Sequence, residues 1–548
     1  MLEVCPPETL SMRTRDGVRL EADVYRPATR GEHPVLLMRQ PYGRRIASTV
    51  CYAHPAWYAA HGYVVVIQDV RGRGGSDGAF ALFEHDADDG ADAIAWAAGL
   101  PGATGAVGMY GFSYQGVTQL LAAAAGAPAL KAIAPAMIGW DLRQDWAYEN
   151  DAFCLSANIS WAIQLAAESA KRAGDAQAFH ALHAAARAPP LNDRIQAAPD
   201  ILQRYRAYAP HYFDWLENAA DNPYWARISP ATYAERLTAQ GPPALFIGGW
   251  WDTHLPGTLS AYRTYERARA QARLLIGPWA HFPWGRRLGA LDFGEDAIGA
   301  IDQAQVRWFD YHLKGEGEAP TQTAPVRLFD IGARAWRDLP AWPESTAPWR
   351  IAGGGRAALD ERDGVLGEEV AGAAKDDRLV HDPWRPVPSV GGAFGAPPGP
   401  VERTDIDARP DVLTYTSAPL EAPLTLLGAP EALLQIDADA ASFDISCVLS
   451  RVDGAGRALH LAEGYHHFAR APLSAAAIAL RPICVTLGKG ERLRLSIAAA
   501  SFPNHPVNPG DGTLPIDAAL EQARVITLTL GHGGSRLLLP IYAEGVSA

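Results

Sequence analysis

Gly111-Phe112-Ser113-Tyr114-Gln115-Gly116 is the stretch whose reading decides the fold. It follows Gly105-Ala106-Val107-Gly108-Met109-Tyr110, which reads as a short buried strand. It precedes residues 117–125, an Ala- and Leu-rich run that reads as a helix. A strand, a sharp turn with a serine at its tip, then a helix is the context a nucleophile elbow requires. The backbone closes tightly there, so small residues must flank the serine. Gly111 lies two before Ser113 and Gly116 three after it, a variant of the short form in which the second glycine comes one position earlier. Taken alone, such a turn is far more often an ordinary strand-to-helix connection, so the weight falls on its surroundings.

Upstream, residues 18–25 and 34–39 read as strands, and 53–61 as a helix. Gly62-Tyr63-Val64-Val65-Val66-Ile67-Gln68-Asp69 is apolar without alternation, as a parallel strand covered on both faces should be. Residues 86–98 form a helix with acidic residues in its first turn, favourable at that end of the helix dipole. Strands alternating with helices up to Ser113 predict an α/β fold with a doubly wound parallel sheet. Gln40-Pro41-Tyr42-Gly43 places Tyr42 at a strand's carboxyl end, where open α/β sheets put their chemistry. Local evidence leaves it open between a site residue and a packed loop aromatic. Arg71-Gly72-Arg73-Gly74-Gly75-Ser76-Asp77-Gly78 lacks both phosphate-loop spacings and reads as a structural loop beside the site.

Downstream, residues 131–136 read as the next strand, after which the pattern changes. Residues 140–235 carry no strand period. Helical runs appear at 158–173, 175–186 and 195–205, with many aromatics, Trp146, Trp161 and Trp215 among them. A helical cap that excludes water and builds an apolar wall is expected, although most of these rings would also fill a helical core. Pro243-Ala244-Leu245-Phe246-Ile247-Gly248-Gly249-Trp250-Trp251-Asp252 then reads as a strand ending in a carboxylate. Ala272-Arg273-Leu274-Leu275-Ile276-Gly277-Pro278-Trp279 is another, with His281 just past its end. The candidates Ser113, Asp252 and His281 thus stand at strand ends in the order Ser, Asp, His, as an α/β-hydrolase demands. A serine hydroxyl needs an imidazole to take its proton, and the imidazole needs a carboxylate to hold its tautomer. Asp69 and His254 compete for these roles. Asp69 precedes the elbow and has Arg71 as a structural partner, whereas His254 is too near Asp252 in sequence.

Residues 297–313 read as a last helix and 315–324 as a polar linker. Beyond it come short strands at 326–331, 413–416, 424–427, 432–436, 443–449, 493–497 and 525–530. Such a run of strands predicts a β-sandwich, with 376–400 as a long ordered loop. A length of 548 residues exceeds one hydrophobic core. The expected division is an α/β-hydrolase core at 1–140 and 241–317, a helical cap at 141–240 and a sandwich at 318–548. The sandwich shows no evident chemistry; it braces the core and cap or binds carbohydrate.

Apolar content of 48% with 20% charged residues is that of a soluble globular chain. A formal charge of −13 argues against a nucleic-acid partner, which needs clustered cations. The N-terminus lacks a signal-peptide pattern, and no apolar run reads as a membrane span. Five scattered cysteines read as reduced thiols of a cytoplasmic protein. No compact His/Asp/Glu set suggests a metal, and no cofactor is expected.

The combination resembles the CocE/NonD family of serine hydrolases, which includes cocaine esterase-like enzymes. α-Amino acid ester hydrolases, glutaryl-cephalosporin acylases and X-prolyl dipeptidyl peptidases are related to it. The resemblance rests on the motifs around Tyr42, Asp69 to Gly78, the Ser113 elbow and Lys131-Ala132-Ile133-Ala134-Pro135. Trp251-Asp252, Gly277-Pro278-Trp279-Ala280-His281, Val390-Gly391-Gly392 and Leu413-Thr414-Tyr415-Thr416-Ser417-Ala418-Pro419-Leu420 complete it. It implies Ser113 as nucleophile, His281 as base and then acid, and Asp252 as its orienter. An oxyanion hole from the Tyr42 hydroxyl and the Tyr114 N–H is also implied, as are a jelly-roll third domain and a homodimer or homotetramer. Trp161 corresponds to a cap tryptophan lining the acyl pocket, and Trp146 is a looser match.

For the substrate, the family's amino acid ester hydrolases bind an ammonium with carboxylates. Asp145 would supply one, but Thr253-His254-Leu255 after Asp252 lacks the others, which weakens the α-amino ester and dipeptidyl peptidase readings. His254 would put a polar, titratable group beside the pocket. The expectation is a small-molecule ester with an aromatic or bulky apolar acyl group. The alternatives are an amidase or acylase and, from another class, a carbohydrate-binding protein with an inactive triad.

Overall fold

Every residue of the strand Val64–Asp69 is buried, as its unbroken apolar run requires. The computed structural model describes residues 1–191, 197–282, 284–299, 301–370, 375–469, 475–513 and 516–543. Among them, ten strands form the first sheet: Glu8–Arg13 (β1), Arg19–Tyr25 (β2), His33–Gln40 (β3), Val64–Asp69 (β4), Ala103–Phe112 (β5), Leu130–Ala136 (β6), Ala244–Trp251 (β7), Ala272–Ala280 (β8), Val326–Asp330 (β9) and Ala335–Leu339 (β10). Their spatial order is β1-β2-β4-β3-β5-β6-β7-β8-β9-β10. The run from β4 to β9 is parallel, with antiparallel pairs at both edges.

Alternate residues of β4 feed two cores. Val64 and Val66 pack with Ile94 and Leu120 on one face, whereas Val65 and Ile67 join Tyr58 and Trp308 on the other. Helices therefore cover both faces, and each buried Val or Ile contributes about 1.5–3 kcal/mol. Because β4 lies outside β3 and β5 lies on its other side, the chain reverses its winding between β3 and β5. The crevice at such a switch point, beyond the carboxyl ends of the strands, is where open α/β sheets bind ligands. Tyr42 follows β3 there and Ser113 follows β5.

The segment at 326–331, expected in the sandwich, belongs instead to the core sheet. Val326-Arg327-Leu328 pairs in parallel with Leu274-Leu275-Ile276, and Val326 and Leu328 are fully buried. The helix Ile301–Phe309 supplies the crossover that a parallel neighbour needs. By sheet membership the core thus runs on through Leu339. Residue 300, inside the expected helix at 297–313, lies outside the described residues, as do 195 and 196 of the one expected at 195–205; Asp200–Arg204 is helical.

The cap contains the helices Leu155–Arg172, Ala176–Arg187, Pro210–Glu217 and Pro223–Ile228, and also a small hairpin, Tyr148–Glu149 with Ala152–Phe153, that the sequence did not announce. The glycine-rich loop after Asp69 clips this cap to the core, since Arg73 Nη1 donates to the Leu165 carbonyl and Arg172 Nη2 to that of Ser76. Its tightness has a local cause: a Cβ at Gly74 would lie 2.1 Å from the Asp69 carboxylate.

Among the described residues, the C-terminal unit holds a second ten-stranded sheet, in which Ile526–Leu539 is flanked by Ala347–Ala352, Glu431–Ala438 and Asp377–His381. A further antiparallel pair joins Leu424–Gly428 to Ile483–Leu487. Part of the expected loop at 376–400 is thus a strand: Asp377–His381 alternates buried and exposed residues, the period that edge pairing selects.

Gly116 explains the variant elbow. A Cβ there would lie 2.3 Å from Ile138 Cγ2 and 2.9 Å from the Ala136 carbonyl oxygen, so the helix after Ser113 sits directly against the end of β6. Gly116→Val should therefore destabilise the core by about 1–3 kcal/mol. The check is the thermal midpoint followed by circular dichroism, which should fall; an unchanged midpoint would contradict this packing.

Candidate active site

Ser113 stands between β5 and the helix Tyr114–Ala124 with φ 59° and ψ −126°. An L-residue reaches that region only under strain, and the surroundings impose it. The Ser113 N–H donates to the Ala136 carbonyl at 2.9 Å, and its own carbonyl accepts from the N–H groups of Gly116 and Val117 at 2.9 and 3.0 Å. Gly111 before it has φ 138°, and a Cβ there would lie 2.5 Å from the Gln115 Cβ.

Strands β7 and β8 lie side by side, with Trp251 registered on Ala280, so the next residue of each strand meets the other. Asp252 Oδ1 and His281 Nδ1 are 2.7 Å apart, and the carboxylate is fully buried. A carboxylate only accepts, so the proton sits on Nδ1 and Nε2 presents a lone pair. Ser113 and His281 line one cavity of about 540 Å³. Among the described residues no hydrogen bond joins the serine hydroxyl to the imidazole, although Phe112 packs on the His281 ring with centroids 5.4 Å apart. Catalytic hydrogen bonds often tighten only when substrate binds.

Tyr42 faces the same cavity, and Trp161 Nε1 donates to its hydroxyl oxygen at 3.1 Å. Indole is a donor only, so the phenolic hydrogen is left to donate elsewhere. Burial of that hydroxyl raises its pKa, which keeps it protonated. Tyr114 begins the helix, and its N–H is among those an α-helix leaves without an internal acceptor. Its side chain turns away, donating to Asp86 Oδ2 at 2.6 Å.

Trp146, Trp161 and His254 line the cavity. Trp146 stacks on His254 at 4.2 Å, and Trp161 is stacked on Trp215 at 5.7 Å. His254 Nδ1 lies 3.0 Å from the Asp145 carbonyl and must carry the proton. Burial lowers its pKa to about 4, so the ring is neutral at ordinary pH. Asp145 is a correction, because it is not among the residues lining this cavity. Its Oδ2 accepts from the backbone N–H groups of Trp140 and Asp141 at 3.2 and 2.9 Å, which turns the carboxylate back onto its own loop. Burial raises that carboxyl to about 6. Asp69 is structural, but its partner is Arg44 at 2.6 Å, and Arg71 pairs with Asp16 and Asp89 instead.

Two residues that the sequence reading passed over come from the C-terminal unit. Phe394 lines the cavity, and Arg481 Nη1 donates to the carbonyls of Asp252 and Thr253, each at 3.1 Å. Only the arrival of the sandwich at the core brings them there, and neither stands in a motif. No described helix is long and apolar enough to cross a membrane.

A strained serine and a carboxylate-held imidazole that line one cavity of an α/β sheet are the parts of a serine hydrolase. Residues 16–283 match the family model of the X-Pro dipeptidyl-peptidase (S15 family), and 318–537 that of its C-terminal non-catalytic domain. The chain is 31% identical to the cocaine esterase of Rhodococcus sp. (strain MB1 Bresler), over 96% of this chain and 97% of that one. It belongs to the CocE/NonD family and is a serine carboxylic ester hydrolase. In fold it is similar to an aminopeptidase from a marine sediment archaeon, Thaumarchaeota archaeon (TM-score 0.84, 21% identity, 98% and 96% of the two chains covered). It is also similar to an α-amino acid ester hydrolase (TM-score 0.81, 23% identity, 99% and 97% covered).

The neutral His254 has a consequence for stability. Unfolded, it takes up a proton below its ordinary pKa of 6.5; folded, it does so only near 4, so its burial destabilises the protein progressively as pH falls through that window. Relative to the parent, His254→Gln should gain stability between pH 6.5 and 4. Thermal midpoints of the two proteins across that range test this, and parallel curves would contradict it.

Proposed function

We propose that the chain hydrolyses small-molecule carboxylic esters with an aromatic or bulky apolar acyl group, through an acyl-enzyme on Ser113. The observation that carries the reading is the joint placement of Ser113 and the Asp252-held His281 in one cavity walled by Phe112, Trp146, Trp161 and Phe394. Ser113 Oγ attacks the ester carbonyl carbon while His281 Nε2 takes its proton. The Tyr42 hydroxyl and the Tyr114 N–H donate to the oxygen that becomes negative. The C–O bond to the alcohol then breaks, and the imidazolium returns its proton to the leaving oxygen. Water repeats the sequence on the acyl-enzyme, releasing the acid and restoring the serine. Asp252 stabilises the imidazolium without taking its proton. Five cysteines free of disulfides support a reducing, cytoplasmic setting for this chemistry.

An activated aryl benzoate should give a burst of released phenol, absent in Ser113→Ala, and should be turned over with a higher kcat/KM than the matching acetate. Tyr42→Phe should lower kcat about 10²–10³-fold. A preference for the acetate would overturn the acyl-group assignment. Comparison with the matching anilide separates esterase from amidase, since a comparable amide rate would favour the latter.

A further inference from the structure

The acid of the proposed triad is held in an unusual way. Asp252 Oδ1 meets His281, but Oδ2 has no hydrogen-bond partner among the described residues. The carboxylate is therefore oriented mainly by its backbone. Asp252 lies beyond the paired part of β7, in the turn that leads to the helix Leu255–Arg267. Its N–H donates to the Gly249 carbonyl at 3.0 Å, and its carbonyl accepts from the Leu255 N–H at 3.2 Å. The remaining fixing contact comes from outside the core. Arg481 lies between the strands Ala476–Ala479 and Ile483–Leu487 of the sandwich and spans the carbonyls of Asp252 and Thr253 with one nitrogen.

Arg481 is itself tightly placed. Only 4% of its side chain is exposed. Its Nε lies 3.5 Å from Glu149 of the cap hairpin and 3.5 Å from Glu463, on the strand Ala458–Phe468 of the C-terminal unit. Its backbone N–H donates to the Glu463 carbonyl at 2.7 Å, and its guanidinium lies 4.7 Å from the centre of the Phe394 ring, which walls the active-site cavity. Burial disfavours the charge, but Glu149 and Glu463 outweigh it and keep the group protonated. His460 Nε2 lies 2.6 Å from Glu463 and holds that carboxylate, while His505 Nε2 stands 3.4 Å from Glu149. Core, cap and sandwich thus converge on one cation.

We propose that Arg481, lent by the C-terminal unit, is a positioning residue for the reaction: it fixes the Asp252–Thr253 turn and through it the carboxylate that orients His281. This rests on Asp252 being the acid of the triad. Arg481 does not line the cavity of Ser113, so its loss acts on turnover rather than on substrate binding.

A double-mutant cycle on the full-length enzyme tests it, with steady-state kinetics on an activated aryl ester. Arg481→Met should lower kcat about 100-fold, the scale of a displacement near 1 Å in a catalytic group, with KM within about twofold. Arg481→Lys, which keeps the charge and one donor head, should recover about tenfold of that loss. In an Asp252→Ala background the same Arg481→Met change should alter kcat by less than about twofold, because the group it positions is gone. Equal losses in both backgrounds, or a raised KM with kcat intact, would overturn the proposal. If Arg481→Met does not fold, Arg481→Lys carries the cycle. Wild-type turnover by Asp252→Ala alone would remove the acid assignment, a distinct failure that takes the proposal with it.

Discussion

The hydrogen bond between Asp252 and His281 is the contact around which the molecule is arranged. Their partnership depends on the parallel register of β7 and β8, which brings Trp251 beside Ala280. A slip of one residue would carry one side chain to the opposite face of the sheet and end the pairing. The register is in turn held by burial on both faces: Phe246 and Trp251 pack into one core, Ile247 into the other. The sheet therefore supports more than stability. It sets the tautomer of an imidazole.

Around that pair the three parts of the chain have separate tasks. The core supplies the serine, the imidazole and the carboxylate at neighbouring strand ends. The cap supplies Trp146 and Trp161, and with them an apolar wall. The C-terminal unit supplies Phe394 to that wall and Arg481 to the turn beneath it. Its sheet has none of the three proposed triad members, yet it reaches the site from two directions.

Much of this was legible in the sequence, for a physical reason. Glycines around Ser113 and apolar runs ending in Asp252 and just before His281 are local signals, and each reports a local constraint. The order of the three residues then followed from the topology. What escaped was non-local. The segment at 326–330 looks the same whether its neighbour is a sandwich strand or β8; only pairing with Leu274-Leu275-Ile276 decides. Asp145 is correctly placed at the start of the cap, but its direction depends on two backbone N–H groups that draw it away from the cavity. Arg481 meets a carbonyl 229 residues earlier in the chain, a distance at which pattern reading has no purchase. The expectation for the sandwich was bracing or carbohydrate binding, whereas it sends Phe394 to the cavity wall and Arg481 to the turn that carries Asp252.

The bond from Trp161 to the Tyr42 hydroxyl crosses from a cap helix to a loop of the core. It leaves the phenolic hydrogen free while restricting the directions in which it can point. Enclosure of the substrate and readiness of the proposed oxyanion donor therefore share one latch. Any ligand that parted the helix from the loop would break this bond, and so loosen the aromatic wall and the phenol together.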